Sequence, residues 1–461
     1  MNQTNAINTT LRILLILPDA RIHKLKIGSF QRSMREAPLT LTVLAALIPA
    51  ELNAQIRIID ENVQKIPEGI HADIVGISVL TGTSERAYEL ARQFRNQGSH
   101  VVIGGVHATL LPEEASLHAD TVITGSAELT WPQFLRDFKR GEVSRIYSES
   151  EKSSPEISSP LPRRDLQSSF RYNVPDTVFA TRGCRHACGF CTVPALSRSF
   201  LKRPVSEVID DIKSIDNRLI VFNDVDLASD REYAKEIFSA MIPLKKKWGG
   251  LVTFQAGRDA ELLDLMEKSG CSYLLIGFES VHSESLKEIK KGFNKTEDYR
   301  EFMKKMHERR ISIQGCFIFG FDFEDTGVFQ ETLDLVNESK IDIPRYSLLT
   351  PYPGTDLFKK LEIENRIVSY DWKNYDTMHS VFTPRKMSRE ELTSGFKKIY
   401  EDTFRMSNIK KRITTYDFNG IINIVGNLTY KKFAARLRSD PFYSLPPKSG
   451  RIQNREVPCL M

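Results

Sequence analysis

What this chain lacks narrows its class before any motif is read. No stretch reaches the roughly 18 uninterrupted apolar residues of a membrane-spanning helix. The opening residues, MNQTNAINTT, have neither the positive start nor the apolar core of a secretory signal. A cytoplasmic protein is expected. Cysteine is scarce, six in 461 residues, and too unevenly placed for a disulfide framework. No internal repeat or long low-complexity tract is present, which excludes a solenoid. Apolar residues make up 41% of the chain, enough for two or three domains with their own cores.

The cysteines that are present are bunched. "TRGCRHACGFCTV" holds Cys184, Cys188 and Cys191, with no fourth beside them. A closed structural zinc site takes four ligands, so the triple leaves a metal centre open. Thiolates hold iron-sulfur clusters, and a four-iron cubane with three protein ligands keeps one iron free for a cofactor or substrate. Phe190 can stack on an aromatic group there, and Arg182 and Arg185 favour thiolates. Cys271 and Cys316 lie in apolar runs and read as small buried hydrophobes. Cys459 sits three residues from the end, which excludes a prenylation box.

The net charge of +5 is uneven. From Arg405 onward eleven Lys and Arg face three Asp and Glu, so an anionic partner would bind at the tail. Nothing points to nucleic acid.

Apolar runs at 11, 56, 73, 100 and 121 alternate with helical patterns, one of them capped by Ser84. This rhythm predicts an α/β domain over 1–146, a doubly wound parallel sheet with its ligand beyond the carboxyl ends of the strands. A Ser, Pro and charge-rich linker follows at 147–166. Strand-helix alternation then returns over 167–384, with strands near 177, 218, 251, 273, 311 and 346, which predicts a partial six-unit barrel. In such barrels chemistry sits at the carboxyl ends of the strands, and the cysteines follow the first strand directly. A helical region with a basic tail fills 385–461, its first helix opened by a Ser388/Glu391 capping box.

The C-x-x-x-C-x-aromatic-C pattern after the first strand of a six-unit barrel resembles the radical S-adenosylmethionine (SAM) superfamily. The resemblance implies a [4Fe-4S] cluster whose open iron takes SAM and a 5'-deoxyadenosyl radical released by reductive cleavage. It also implies an external electron donor such as flavodoxin or ferredoxin. Where many relatives hold the SAM amino group with Gly-Gly-Glu, this chain has "VFNDVDL", so Asn223 and Asp224 are expected to substitute, although Asp224, like Glu279, could equally form a structural ion pair. Gln255, Arg258, Glu279 and Ser280 stand where relatives contact SAM ribose and carboxylate, and Gly320 and Gly354 match later turns.

The upstream sheet is similar to the cobalamin-binding domain of one radical SAM class. That similarity implies a corrinoid over the strand ends, with Ser78, Thr81 and Gly82 near one edge and Gly104, Gly105 and Thr109 near the nucleotide tail. The Asp-x-His-x-x-Gly motif of many cobalamin proteins is missing. Asp19, His23 and Gly28 have the wrong spacing, so His23 reads as a loop residue and His107 as a packing or tail contact.

The expected function is cobalamin-dependent radical methylation of an unactivated carbon in a small-molecule or lipid substrate. The alternatives are a radical cyclase or oxidase without methyl transfer, and an iron-sulfur electron carrier or redox sensor. Trp372, Tyr375 and His379 could line a substrate channel, but packing at the barrel mouth is the favoured reading. The basic tail is weighed as a contact with the inner membrane face.

Overall fold

The computed structural model describes residues 10–20, 24–27, 30–33, 36–149, 156–196, 199–413, 415 and 418–449. His23 and Cys459 lie outside the described residues. The chain forms two compact units, residues 1–178 with 201–217, and residues 179–200 with 218–461.

In the first unit six strands form one sheet: β1 (Arg12–Leu17), β2 (Gln55–Asp60), β3 (Ile74–Ser78), β4 (His100–Gly104), β5 (Thr121–Thr124) and β6 (Ile146–Ser148). Their order is β2-β1-β3-β4-β5-β6, parallel throughout. Parallel strands joined by helices are covered on both faces, which is why they read as continuous apolar runs. Alternate residues serve opposite cores. Leu14, Ile16, Val75 and Ile77 meet Leu90 and Phe94 of helix Ser84–Asn96. Ile13, Leu15, Ile74 and Val102 meet Trp131 and Phe134 of helix Ala127–Arg140. The order reverses between β1 and β3, and a ligand crevice opens at such a reversal.

Three details differ from the sequence reading. Strand β6 extends into the run read as linker, and residues 156–166 pack within this unit, where Arg164 pairs with Asp211 at 2.8 Å. The loop after β1 carries an antiparallel ribbon, Lys24–Ile27 with Phe30–Ser33. Ser84 is the first helical residue after an N-cap at Thr83, and its hydroxyl donates to Thr81 O at 3.0 Å.

The second unit has five parallel strands, β7 (Leu219–Phe222), β8 (Lys247–Val252), β9 (Cys271–Glu279), β10 (Ser312–Phe319) and β11 (Ile343–Leu348). They are ordered β11-β10-β9-β8-β7. The first expected barrel strand, near 177, is the short strand Thr177–Val178, which belongs to the first unit.

Burial alternates along these strands. Phe222, Trp248, Ile276, Phe278, Phe317 and Phe319 are buried, whereas Val221, Leu251, Leu275, Gly277, Cys316 and Arg345 are half-buried. Side chains of a strand point alternately to its two faces. One face therefore packs under helices and the other lines a hollow. Cys271 is buried as expected, but Cys316 lies on the hollow side.

Helix Arg389–Thr403 opens with the expected capping box. The helix Phe418–Ser439 packs on residues of the hollow side. Its Asn423 donates to Ser312 Oγ at 3.0 Å, and its Tyr430 hydroxyl accepts from Gln314 at 2.9 Å.

Candidate active site

The cysteine loop is fixed along its length by other segments of the second unit. At its start, Asp224 accepts from the Ala180 amide at 3.1 Å, the Thr181 amide at 2.5 Å and the Thr181 hydroxyl at 2.6 Å. In the middle, the Arg185 amide donates to Ser229 Oγ at 3.1 Å, and its guanidinium reaches Asp230 at 2.8 Å. At its end, the Gly189 amide donates to Ile289 O at 3.1 Å, and Gly189 O accepts from the Leu357 amide at 2.9 Å. The loop thus presents three half-buried thiols on a backbone with little freedom.

Asp224 is a brace for this loop. Its carboxylate is 2% exposed, and burial pushes it up to about 6 against the hydrogen bonds it accepts. Of the two parts the sequence leaves open for Asp224, a SAM contact and a structural one, these hydrogen bonds fit the structural one. Two residues on, Asp226 is the carboxylate with spare acceptor capacity. It is 1% exposed, one oxygen accepts from the Thr253 amide at 3.1 Å, and among the described residues Oδ2 has no hydrogen-bond partner. His186 Nε2 stands 3.6 Å from that oxygen, and the Asp226 charge reaches Cys184. An unsatisfied buried carboxylate oxygen is costly, and an ammonium group beside the cysteines would relieve it. Asn223 is half-buried and shares the hollow-side parity of Val221.

A second charge near the thiols escaped the sequence reading. Lys291 Nζ lies 2.5 Å from Glu279 Oε1, with both side chains under 10% exposed. Burial works against the Lys291 ammonium, but Glu279 outweighs it and raises its pKa. Burial pushes the Cys188 thiol up to about 11; Lys291 opposes that push, while Cys191, Glu279 and Cys184 reinforce it. The Cys184 and Cys191 thiols are also raised, chiefly by burial. Three thiols that sense one another beside a buried cation fit an iron-sulfur cluster carrying negative charge.

The other expected contacts are spread more widely. Glu279 has φ +67° at a register shift in the β9–β10 pairing, which turns it back over Gly277. Ser280 is buried and donates to Glu324 at 2.7 Å. Gln255 is half-buried on the turn Phe254–Arg258. Arg258 is exposed and reaches Phe293 O at 3.2 Å and Asp298 at 3.3 Å. Phe190 lies in an apolar pocket with Ile289, Phe321, Leu349, Leu357 and Phe382. The Arg182 guanidinium sits over Phe179 at 4.2 Å. Tyr375 and His379 are buried, and Trp372 packs against the same apolar cluster.

In the first unit, Ser78, Gly82, Gly104, Gly105 and Thr109 are half-buried near the β3 and β4 ends. Gly105 has φ +98°, and a Cβ there would lie 2.8 Å from Val79 N, so only glycine fits. Thr109 donates to Gly105 O at 2.9 Å and accepts from the Gly125 amide at 3.0 Å, bracing two turns at once. Thr81 is 2% exposed and its hydroxyl faces His107 Nδ1 at 3.4 Å, an interior position. His107 is fully buried and also reaches Tyr88 and Glu114. Leu80, by contrast, is 52% exposed beside the sheet's order reversal. A glycine-lined strand edge with one exposed apolar side chain fits a flat corrinoid face.

Comparison with known families agrees with both halves. The Radical SAM superfamily matches residues 178–336, and the B12 binding domain matches residues 12–135. Bacteriochlorophyllide d C-12(1)-methyltransferase of Chlorobaculum tepidum is 32% identical over 87% of this chain and 90% of its own length. The chain belongs to the cobalamin-binding radical SAM family. Bacteriochlorophyllide d C-8(2)-methyltransferase of the same organism is 28% identical over 87% of this chain and 93% of its own. The structure of OxsB, a cobalamin-dependent SAM radical enzyme solved with aqua-cobalamin and SAM bound, superimposes with a TM-score of 0.68. It covers 96% of this chain and 74% of that one at 16% identity. Membership brings SAM, the [4Fe-4S] cluster and cobalamin, and it removes the electron-carrier alternative. Cys184, Cys188 and Cys191 are the residues suited to hold the cluster.

Proposed function

We propose that this enzyme transfers a methyl group to an unactivated carbon of a small conjugated substrate of the tetrapyrrole class. The observation that carries the reading is the three-thiol loop beside the unsatisfied Asp226 carboxylate, on a chain that also carries a B12 domain. Two methyltransferases of bacteriochlorophyllide d that match most of the chain support methylation over ring closure, and support the substrate class. When bound, the cluster and SAM supply hydrogen-abstracting radical chemistry, and cobalamin supplies a methyl carrier. The chain's own part is to brace the cysteine loop through Asp224, to receive the SAM ammonium at Asp226 and to balance cluster charge with Lys291. The half-buried apolar residues of the hollow keep water from the reacting carbon.

A flavodoxin or ferredoxin is the proposed electron source. Among the described residues no helix is long and apolar enough to cross a membrane. Helix Phe418–Ser439 exposes Ile421, Val425 and Leu428 at helical spacing, with Lys431, Lys432, Arg436 and Arg438 following. This pairing supports contact with an anionic membrane face, which salt-sensitive liposome co-sedimentation tests. The substrate class is tested by incubating anaerobically loaded enzyme with SAM, reductant and a panel of chlorins. Gain of one methylene by a chlorin supports it; conversion of none of them, with SAM cleaved, rejects it.

A further inference from the structure

Arg345 stands on the hollow side of β11. Among the described residues its guanidinium forms no ion pair or hydrogen bond, and its Nε is shielded from solvent with no partner. Among the described residues the titratable groups that act on it most strongly are Tyr430, Cys316, Tyr400 and Tyr273. None is an anion at ordinary pH. Burial pushes the Cys316 thiol up to about 11, and it raises Tyr400 as well. Tyr273 and Tyr430 are themselves linked through Gln314. A half-buried guanidinium whose Nε is shielded and unpaired is costly in a folded chain, so its place makes sense when an anion enters the hollow.

The strand register locates that anion. Gly277, Cys316 and Arg345 stand side by side across β9, β10 and β11. The space above Gly277 is filled by head groups: a Cβ there would overlap Glu279 Oε1 and lie 2.7 Å from Lys291 Nζ. That ion pair marks the cysteine side of the row, since Lys291 interacts with Cys188 and Cys191. Two inter-strand steps of about 4.8 Å put the Arg345 backbone roughly 10 Å from the Gly277 backbone. Glu279 is committed to Lys291 and leaves Arg345 to an incoming ligand.

We propose that Arg345 anchors the substrate by taking one of its carboxylates at the wall of the hollow away from the cysteine loop. This rests on the methylation reading of the same site and adds that the substrate is an acid, held at a group remote from the carbon that reacts. A planar guanidinium receives a carboxylate through two parallel hydrogen bonds, which fixes the orientation of a flat molecule. SAM also bears a carboxylate, so the test separates the two sources.

Thermal unfolding of the loaded enzyme, with SAM present, is compared in sodium propionate and in sodium chloride at equal ionic strength. Propionate is expected to raise the Tm of the wild type, and Arg345→Gln to abolish the rise, since a ligand that binds only the folded state stabilises it. No rise in the wild type, or an equal rise in the variant, overturns the proposal. A rise seen only before SAM is added means that Arg345 holds SAM itself, which also overturns it. Arg345→Met supplies a second uncharged variant should the amide fold poorly. Chlorin free acid and its methyl ester are then titrated by absorbance. The wild type is expected to prefer the acid by about tenfold or more and Arg345→Gln to lose the preference; a preference kept in the variant overturns the anchor. If neither chlorin form binds while the propionate response persists, the tetrapyrrole reading falls and the anchor stands.

Discussion

The Lys291 ammonium and the Glu279 carboxylate meet at 2.5 Å inside the second unit, at the level of Gly277 and within electrostatic reach of Cys188 and Cys191. Each makes burial of the other tolerable. Breaking a buried pair from one side leaves an uncompensated charge at a cost of about 3–5 kcal/mol. Lys291→Met is therefore expected to lower thermal stability sharply and to move alkylation of the apoprotein thiols to higher pH. The double replacement with Glu279→Gln should recover most of the stability. Unchanged stability in the single variant would contradict the role given to the pair.

Asp224 and Asp226 are two residues apart and separable by experiment. Asp224→Asn removes acceptor capacity from the start of the cysteine loop, so iron per chain should fall after anaerobic reconstitution. Asp226→Asn should keep the iron and weaken SAM binding by about tenfold or more, the loss expected of a charged hydrogen bond. Equilibrium dialysis of SAM with iron analysis of the same samples decides. The reverse pattern would exchange the two roles.

The cluster assignment predicts roughly four irons per reconstituted chain. Alanine at Cys184, Cys188 or Cys191 should lose most of them, whereas Cys271→Ala, in the buried core, should lose none. Zinc as the sole retained metal would exclude the cluster.

Glu324 gives a pH test of the second unit. It is fully buried, accepts from Ser280 Oγ and the amides of Gly320 and Phe321, and is pushed up to about 7 chiefly by burial. A carboxyl whose folded pKa is raised holds its proton longer folded than unfolded, so its contribution falls as pH rises from about 4.5 to 7. Wild type should therefore lose stability relative to Glu324→Gln across that window, by roughly 3 kcal/mol at most. Chemical denaturation at pH 5 and pH 8 measures it. A gap between the two proteins that does not change with pH would refute the titration.

The sheets and the cysteine triple were legible because their signals are local. Strands covered on both faces are apolar runs, and three thiols in eight residues need no fold to be noticed. Asp226, Lys291 and Arg345 carry no such signal. Lys291 meets Glu279 only because a shift in strand register and a positive φ turn that carboxylate back over Gly277. Arg345 faces the hollow only by its parity on β11, and Asp226 differs from Asp224 only in which loop reaches its oxygens. Thr81 has the right type for a cofactor contact, yet the turn after β3 directs it inward to His107.

The central claim, radical methylation with cobalamin as the methyl carrier, is tested most directly with SAM deuterated in its methyl group. Each turnover should consume one SAM for the radical and one for the methyl. The account predicts labelled methyl in the product, with 5'-deoxyadenosine and S-adenosylhomocysteine formed in equal amounts. Converted substrate with 5'-deoxyadenosine but no labelled methyl would contradict it and make the enzyme a cyclase or oxidase.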